Sequence, residues 1–314
     1  MAHIPDGFLS ASVSAGTFAA AGALTALAAR RARKRLDDRA APTLGLATAA
    51  VFAAQALNFP VAAGTSGHLL GGTLVAVAFG PWAGFLVMTA VVIAQALIFA
   101  DGGLTALGAN VLNIAGAGAL LGYAVYRVLT GLAGEGPLSR ALSAAVAAYL
   151  AALLTGVVAG LELGLSGIAP TRLSVGAMAS VHAAIGLAEA GITGLAVWSL
   201  ARKRPDLLFR PRGSAAVKPA PAAVLAGLGV VAILAGSLAI ITSTAPDGLE
   251  RLAIDLGFAD AAASWEAAPL AGYRASIPGA VGTLVAVVLG VALLFAGTAA
   301  TVRALARARR TREG

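Results

Sequence analysis

The chain has no cysteine, which excludes disulfide bonds, iron–sulfur clusters and metal sites built on thiolates. Charged residues are also scarce, at 11%, where an ordinary soluble domain has roughly 25%. Aromatic residues make up only 5% of the chain. Apolar and small residues take their place, with 59% hydrophobic residues and 39 glycines among 314 residues. Because small residues let helices approach closely inside a bilayer, the composition predicts an all-α integral membrane protein and argues against a soluble enzyme.

Nine apolar segments are candidates for membrane-embedded helices, since a crossing needs about 20 mostly apolar residues. The third is short, and Gly80-Pro81 separates it from the fourth, so a helix of partial depth is expected there. We predict a seven-helix bundle over residues 1–201, a cytoplasmic linker over 202–221, and a unit with two transmembrane helices over 222–314. The predicted segments are Leu9–Ala29, Pro42–Phe59, Leu69–Phe79, Trp82–Ala100, Ala109–Val128, Ser139–Leu163, Leu173–Ala201, Ala222–Ile241 and Gly279–Val302.

The positions of the lysines and arginines predict the orientation of these helices. If the N-terminus is outside and all nine segments cross, 19 of the 22 cations lie inside and only Arg172, Arg251 and Arg274 lie outside. This asymmetry follows the positive-inside rule and predicts an N-out/C-in topology. The net charge of +8 is therefore a topology signal and not a sign of nucleic-acid binding. Basic residues follow the first apolar run instead of preceding it, so we expect a retained helix and not a cleaved signal peptide.

Histidines are the candidate metal ligands in a chain without thiols, because imidazole suits nickel, cobalt, copper and zinc. His3 lies beside the N-terminus and His68 lies in the glycine-rich stretch Gly64–Gly72, and the predicted topology puts both on the outer side. The alternatives are a disordered terminus and a polar loop that caps the next helix. His182, the third histidine, shares a helix face with Glu189, and these two are expected to hold the structure together and not to bind an ion.

The position of His3 permits a planar chelate of nitrogen atoms. A terminal amine, a backbone amide nitrogen and an imidazole can bind one ion in a plane, and square-planar nitrogen sites favour Ni(II) and Cu(II). If Met1 is retained, Met1-Ala2-His3 offers four nitrogens. If Met1 is removed, Ala2-His3 offers three nitrogens and leaves a fourth position that His68 could fill. The candidates for side chains that support these ligands are Asp6, Ser66 and Asn58.

Motifs for nucleotide binding or catalysis are absent from the sequence, which has no G-x-x-x-x-G-K-[ST], G-x-S-x-G or H-E-x-x-H pattern. The chain is therefore not expected to be an enzyme, and ATP chemistry for transport would have to come from partners. An autonomous secondary metal transporter or channel is the alternative from another class. Such proteins often have internal repeats and midplane carboxylates. This sequence has no convincing repeat, and its embedded acids are chiefly Glu162 and Glu189.

Several long motifs in order carry a resemblance to a known family. They are His3–Ser10, Gly64–Gly72, Gly80–Gly84 and Phe99–Asn110. Together they resemble the M component of nickel/cobalt energy-coupling factor (ECF) transporters, over about residues 1–201. Pro246–Glu250, with Asp255–Phe258 and two flanking helices, resembles the N component of the same systems, here fused to M. The polar outer segment 244–277 is expected either to help load or release the ion or to serve solubility.

The resemblance implies a substrate-binding subunit, in the cell membrane of a prokaryote, that captures a divalent ion outside the cell. It implies a transmembrane coupling subunit of T or Q type and cytoplasmic ATP-binding-cassette ATPases as partners. The implied substrate is nickel or cobalt, with no permanently bound cofactor, and the implied ligands are the first residue, His3 and His68. Family chains begin Met-His, so we expect Met1 to be removed and Ala2 to supply the amine. The planar chelate and the N region favour nickel over cobalt.

Overall fold

The computed structural model describes residues 3–56, 58–61, 64–210, 220–239, 243, 245–263, 265, 267–275, 277 and 279–313. These residues form a helical bundle with one two-stranded antiparallel hairpin, in which Phe59 pairs with Gly67. The elements are α1 (Ala11–Arg33), α2 (Ala41–Gln55), β1 (Phe59–Pro60), β2 (Ser66–Gly67), α3 (Gly72–Phe79), α4 (Pro81–Phe99), α5 (Leu107–Asn110), a π-helix (Val111–Leu121), α6 (Gly122–Ala133), α7 (Pro137–Leu165), α8 (Thr171–Lys203), α9 (Pro221–Ala239), α10 (Gly248–Leu256) and α11 (Ala280–Glu313).

Six helices in the described ranges are long and apolar enough to cross a membrane. They are α1, α4, the continuous run Leu107–Ala133, α7, α8 and α11. Helices α2 and α9 are shorter apolar helices, and α3 has only eight residues, as expected for a helix of partial depth. The prediction of an all-α membrane protein is confirmed.

The break between α3 and α4 occurs at the predicted position. Gly80 has a φ of 89°, a backbone conformation that suits glycine because it has no Cβ. Pro81 then occupies the first turn of α4, where its missing N–H removes no helical hydrogen bond. The two residues therefore end one helix and start the next without leaving a buried donor unsatisfied.

The π-helix between α5 and α6 was not predicted from the sequence. Neighbouring helices supply hydrogen-bond donors to its carbonyls: the Thr73 hydroxyl donates to Gly118 O (3.0 Å) and the Thr155 hydroxyl donates to Asn113 O (2.8 Å). Glu162 accepts a hydrogen bond from the Asn113 side chain at 2.6 Å. Because lipid offers no such donors, these bonds satisfy polar groups at membrane depth.

The C-terminal helices pack directly on the first part of the chain. A Cβ at Gly45 of α2 would lie 2.8 Å from the carbonyl oxygen of Phe295 on α11, so the two backbones are in close contact. A side chain at Gly290 would collide with the Phe52 and Phe99 rings. Glycines therefore allow α11 to lie against α2 and the end of α4.

The two ends of the bundle differ in chemistry. At one end, the Arg31 guanidinium lies 5.4 Å from the Trp82 ring and that of Arg35 lies 5.3 Å from the Phe209 ring. At the other end, the N-terminal segment, the β-hairpin and the segment after α9 meet. Ala263 N donates to Asp6 O (2.9 Å) there. The basic residues and the N-terminal histidine thus occupy opposite ends, which is the separation that an N-out/C-in topology requires.

Candidate metal centre

The structure brings His3 and His68 together although 65 positions separate them. Their ring centroids are 5.2 Å apart and the rings are inclined by 64°. Both residues are buried, with exposures of 5% and 2%. An ion bound by two imidazoles through bonds of about 2 Å holds the ring centroids roughly 4.5–6.5 Å apart, depending on the angle between the bonds. The pair therefore has a spacing that one shared ion requires.

The hydrogen bonds of the two rings show which nitrogens could bind an ion. His68 Nδ1 lies 2.7 Å from Leu69 O, so Nδ1 carries the proton and Nε2 carries a free lone pair. Within the described residues, His68 Nε2 and both His3 ring nitrogens are buried without a hydrogen-bond partner. Burial, and then the neighbouring His3, lower the pKa of His68 to about 3, which keeps its ring neutral. A buried polar atom without a partner calls for an explanation, and a bound ion is one such explanation.

Asn110 on α5 holds the segment that carries His3. Its side chain accepts from Ile4 N (2.8 Å) and donates to Ile4 O (3.0 Å), so it pairs with that residue as a neighbouring strand would. Asp6, a predicted supporting residue, accepts from Leu104 N (3.0 Å) and Thr105 N (2.6 Å). The N-terminal segment is therefore fastened at Ile4 and at Asp6.

Two polar side chains inside the bundle hold the loop that carries His68. Gln55 at the end of α2 donates to Leu70 O at 2.7 Å. The Glu189 carboxylate on α8 accepts from Leu70 N and from Gly71 N (3.1 Å). Gly71 has a φ of 75°, which lets the chain turn into α3 after these bonds. The loop is thus fixed two residues after His68.

His182 and Glu189, which share a face of α8, do not bond to each other. Seven residues of helix rise about 10 Å, too far for a direct hydrogen bond. His182 Nδ1 lies 2.9 Å from Met178 O on its own helix, while Glu189 reaches the loop. The expected structural use of Glu189 therefore has a specific form, the capping of two backbone N–H groups in another segment.

Ser66 and Asn58, the other two predicted supporting residues, connect the β-hairpin to the segment that precedes α10. The Ser66 hydroxyl donates to Ala245 O (2.7 Å), and Ser66 N donates to Pro246 O (2.9 Å). Asn58 O accepts from Ser243 N (2.9 Å). These bonds couple the hairpin before His68 to the C-terminal part of the chain. Met1 and Ala2, the predicted amine donors, lie outside the described residues.

Asp101 and Tyr273 extend the site. Asp101 Oδ1 lies 3.8 Å from His3 Nδ1, and Tyr273 OH donates to Asp101 Oδ2 at 2.5 Å. Asp101 lies in the connecting segment between α4 and α5. Tyr273 was missed, since nothing in its sequence surroundings distinguishes it from any other tyrosine in a polar connecting segment.

No group of three His, Asp or Glu side chains that could hold an ion occurs in the described part of the chain. An ion between His3 and His68 therefore needs further ligands from another source. Backbone nitrogen and a terminal amine beside His3 are the groups that the predicted planar chelate uses.

Fold and site together define a multi-pass helical membrane protein with a buried histidine pair at one end of its bundle. The cobalt uptake substrate-specific transmembrane region family, CbiM, matches residues 3–207, and the chain belongs to this family. The region after residue 207 corresponds to an N component fused to this M component.

Full-length and partial relatives agree with this family. A fused nickel transport protein NikMN from Rhodobacter capsulatus is 34% identical, with 97% of this chain and 99% of that protein covered. A cobalt transport protein CbiM from Geobacter sulfurreducens is also 34% identical, over 66% of this chain and 62% of that protein. The crystal structure of a truncated transition metal transporter matches at 33% identity with a TM-score of 0.58, covering 63% of this chain and 97% of that one.

Replacing Asn110 by alanine is expected to weaken metal binding. The change removes both hydrogen bonds to Ile4 and frees the segment that carries His3. Loss of a contact that orients a ligand typically costs 10–100-fold in affinity, so we expect the nickel Kd to rise by about that factor. Isothermal titration calorimetry on purified protein measures it. Asn113→Ala, which removes a buried asparagine bonded to Glu162, is the matched control, and equal losses in the two variants would contradict a specific role for Asn110.

Proposed function

We propose that this protein is the substrate-binding membrane subunit of an ATP-driven ECF transporter that imports nickel ions. The ion is captured at the outer end of the bundle by the N-terminal amine, the backbone nitrogen and imidazole of His3, and His68. The observation that carries this proposal is the buried histidine pair, in which His68 Nε2 and both His3 ring nitrogens have no hydrogen-bond partner in the described ranges. Two separate sets of hydrogen bonds hold the two ligand-bearing segments at this spacing.

Nickel is the proposed substrate, and cobalt is the alternative. A planar set of amine, amide and imidazole nitrogens suits Ni(II), whose affinity for nitrogen ligands also exceeds that of Co(II). A relative that covers 97% of this chain is named a fused nickel transport protein, whereas a cobalt transport protein covers 66% of it. Adding Co(II) to the nickel-loaded protein tests this choice. Displacement of Ni(II) by an equal concentration of Co(II) would reverse it.

The proposed partners are a transmembrane coupling subunit of T or Q type and cytoplasmic ABC ATPases. This chain has no phosphate-binding loop of its own. Energy for moving an ion against its gradient would therefore come from nucleotide hydrolysis in the partners. The basic end of the bundle, where Arg31 and Arg35 lie, faces the cytoplasm in the proposed topology.

Uptake into vesicles tests the proposed mode of transport. We expect nickel accumulation to require this chain, its coupling subunit, the ATPases and internal ATP together, because the chain alone supplies only the binding site. Radioactive nickel trapped in proteoliposomes measures the uptake. Omission of ATP and a variant ATPase that cannot hydrolyse it are the controls. Accumulation by this chain alone would instead support a secondary transporter.

A further inference from the structure

Tyr273 connects the C-terminal part of the chain to His3 through one carboxylate. Its hydroxyl donates to Asp101 Oδ2 at 2.5 Å and accepts from Gln95 Nε2 at 3.3 Å. The other Asp101 oxygen lies 3.8 Å from His3 Nδ1. Burial, and then the charge of Asp101, raise the pKa of Tyr273 well above its usual value, so the hydroxyl keeps its proton and remains the donor. In the hydrogen bond between the two residues, Tyr273 is therefore always the donor and Asp101 the acceptor.

The surroundings of Tyr273 fix its ring in place. The ring stacks on Phe99 with centroids 4.8 Å apart and an angle of 20°, and Phe52 lies 6.1 Å away. Leu270 N donates to Ile98 O at 2.9 Å, which ties the same segment to the end of α4. Tyr273 itself has a φ of 58°, an uncommon value for a residue with a side chain, and such conformations persist only when the surroundings enforce them.

The Asp101 carboxylate lies beside Nδ1 of His3, and its charge at this position affects ion binding. Nδ1 is the ring nitrogen nearest the backbone of His3, so it is the one that closes a chelate ring with the backbone nitrogen. A negative charge beside this nitrogen attracts a divalent cation, and the attraction is strong where water is excluded. The side chains of His3 and Asp101 are only 1% and 12% exposed. Without a partner, a carboxylate at the rim of the site can turn towards water.

We propose that Tyr273 is a positioning residue of the metal centre, which holds the Asp101 carboxylate beside Nδ1 of His3. This inference rests on the proposed function, since it assumes that His3 binds the ion. Tyr273 lies beyond residue 207, where the match to the CbiM family ends. The C-terminal part of the chain therefore contributes a side chain that acts on ion binding, in addition to the backbone bonds that it makes to Ser66.

The substitution Tyr273→Phe in the full-length protein tests this role, because it keeps the stacked ring and removes only the hydroxyl. A hydrogen bond to a charged group contributes enough that its loss should raise the nickel Kd about tenfold. We also expect a shift of the visible absorption bands of bound Ni(II), which report the ligand field, and little change in the melting temperature of the metal-free protein. Tyr123→Phe is the matched control, because Tyr123 is a buried tyrosine beside Phe209 at the basic end.

A double-mutant cycle separates action through Asp101 from a general effect on packing. Asp101→Asn should weaken nickel binding by itself, and Tyr273→Phe should then add little in that background, because the interaction energy of the pair is already lost. Additive losses, or an unchanged Kd and spectrum in Tyr273→Phe, would overturn the inference. If the wild-type protein binds nickel and His68→Ala does not, such a failure concerns Tyr273 alone. If the wild-type protein binds no nickel, the proposed function fails and the inference with it.

Discussion

Stoichiometric nickel binding is expected to disappear when His68 is replaced by alanine. The structure fixes the His68 proton on Nδ1 through Leu69 O and leaves Nε2 as a buried lone pair, so the variant loses the nitrogen that is proposed to bind the ion. The Kd should rise by more than about a hundredfold, beyond the usual cost of losing an orienting contact. His3→Ala is expected to have the same effect. Metal analysis of the purified full-length protein measures both.

The third histidine offers a control of the same chemical type. His182→Ala also removes a buried imidazole from an outer part of the bundle. Its Nδ1 bonds to Met178 O and its Nε2, like that of His68, has no partner in the described residues, but the ring packs against Gly156 of α7. We expect this variant to keep one nickel ion per chain. A His68→Ala protein that is purified with a full equivalent of nickel would show that His68 is not a ligand, and the same result for His3→Ala would remove His3 from the site.

Residues added before Ala2 are expected to abolish nickel binding as completely as the loss of a histidine. The addition converts the terminal amine into a peptide nitrogen, so the segment loses the primary amine that anchors the ion and closes a chelate ring with the backbone nitrogen of His3. A short glycine-serine extension at the N-terminus, compared with the same extension at the C-terminus, isolates this effect. Calorimetric titration with nickel gives the affinity of each form, and normal binding by the N-terminally extended protein would exclude the amine as a ligand.

The mass of the intact protein decides which amine is available. We expect Met1 to be absent, so that Ala2 supplies the amine and His68 completes a set of four nitrogens. A metal-loaded protein that retains Met1 would overturn this version. Four nitrogens of Met1-Ala2-His3 would then suffice for the plane, and His68 would have an axial or supporting role.

Much of the fold could be predicted from the sequence, because a bilayer limits the backbone structures that a chain can adopt. Long apolar runs must be helical at membrane depth, since lipid cannot satisfy backbone polar groups. The break at Gly80-Pro81 was predictable because both residues have strong local preferences. The π-helix Val111–Leu121 was not, because its sequence has an ordinary helical composition and the carbonyl partners Thr73 and Thr155 come from other helices.

The histidines of the site could be predicted, and most of what positions them could not. His3 and His68 stand out as two of three histidines in a chain without cysteine. Asn110 and Gln55 are hydrogen-bonded in the structure to the backbone of the segments that carry His3 and His68. Such pairings join residues that are far apart in the chain, 106 positions for Asn110 and Ile4 and 172 for Tyr273 and Asp101, and no local pattern encodes them.

Covalent fusion changes how often the C-terminal part of the chain is in contact with the region around the site. Backbone bonds join Ser66 to Pro246 and Asp6 to Ala263, and each of these contacts depends on a segment beyond residue 207. Between two separate polypeptides, such contacts would form only as often as the partners meet in the membrane. Within one chain they form at an effective concentration that linker length sets, in the millimolar range for short flexible connections. Each chain that carries the histidine pair therefore also carries the C-terminal segments that bond to Ser66 and Asp6, whatever the expression level.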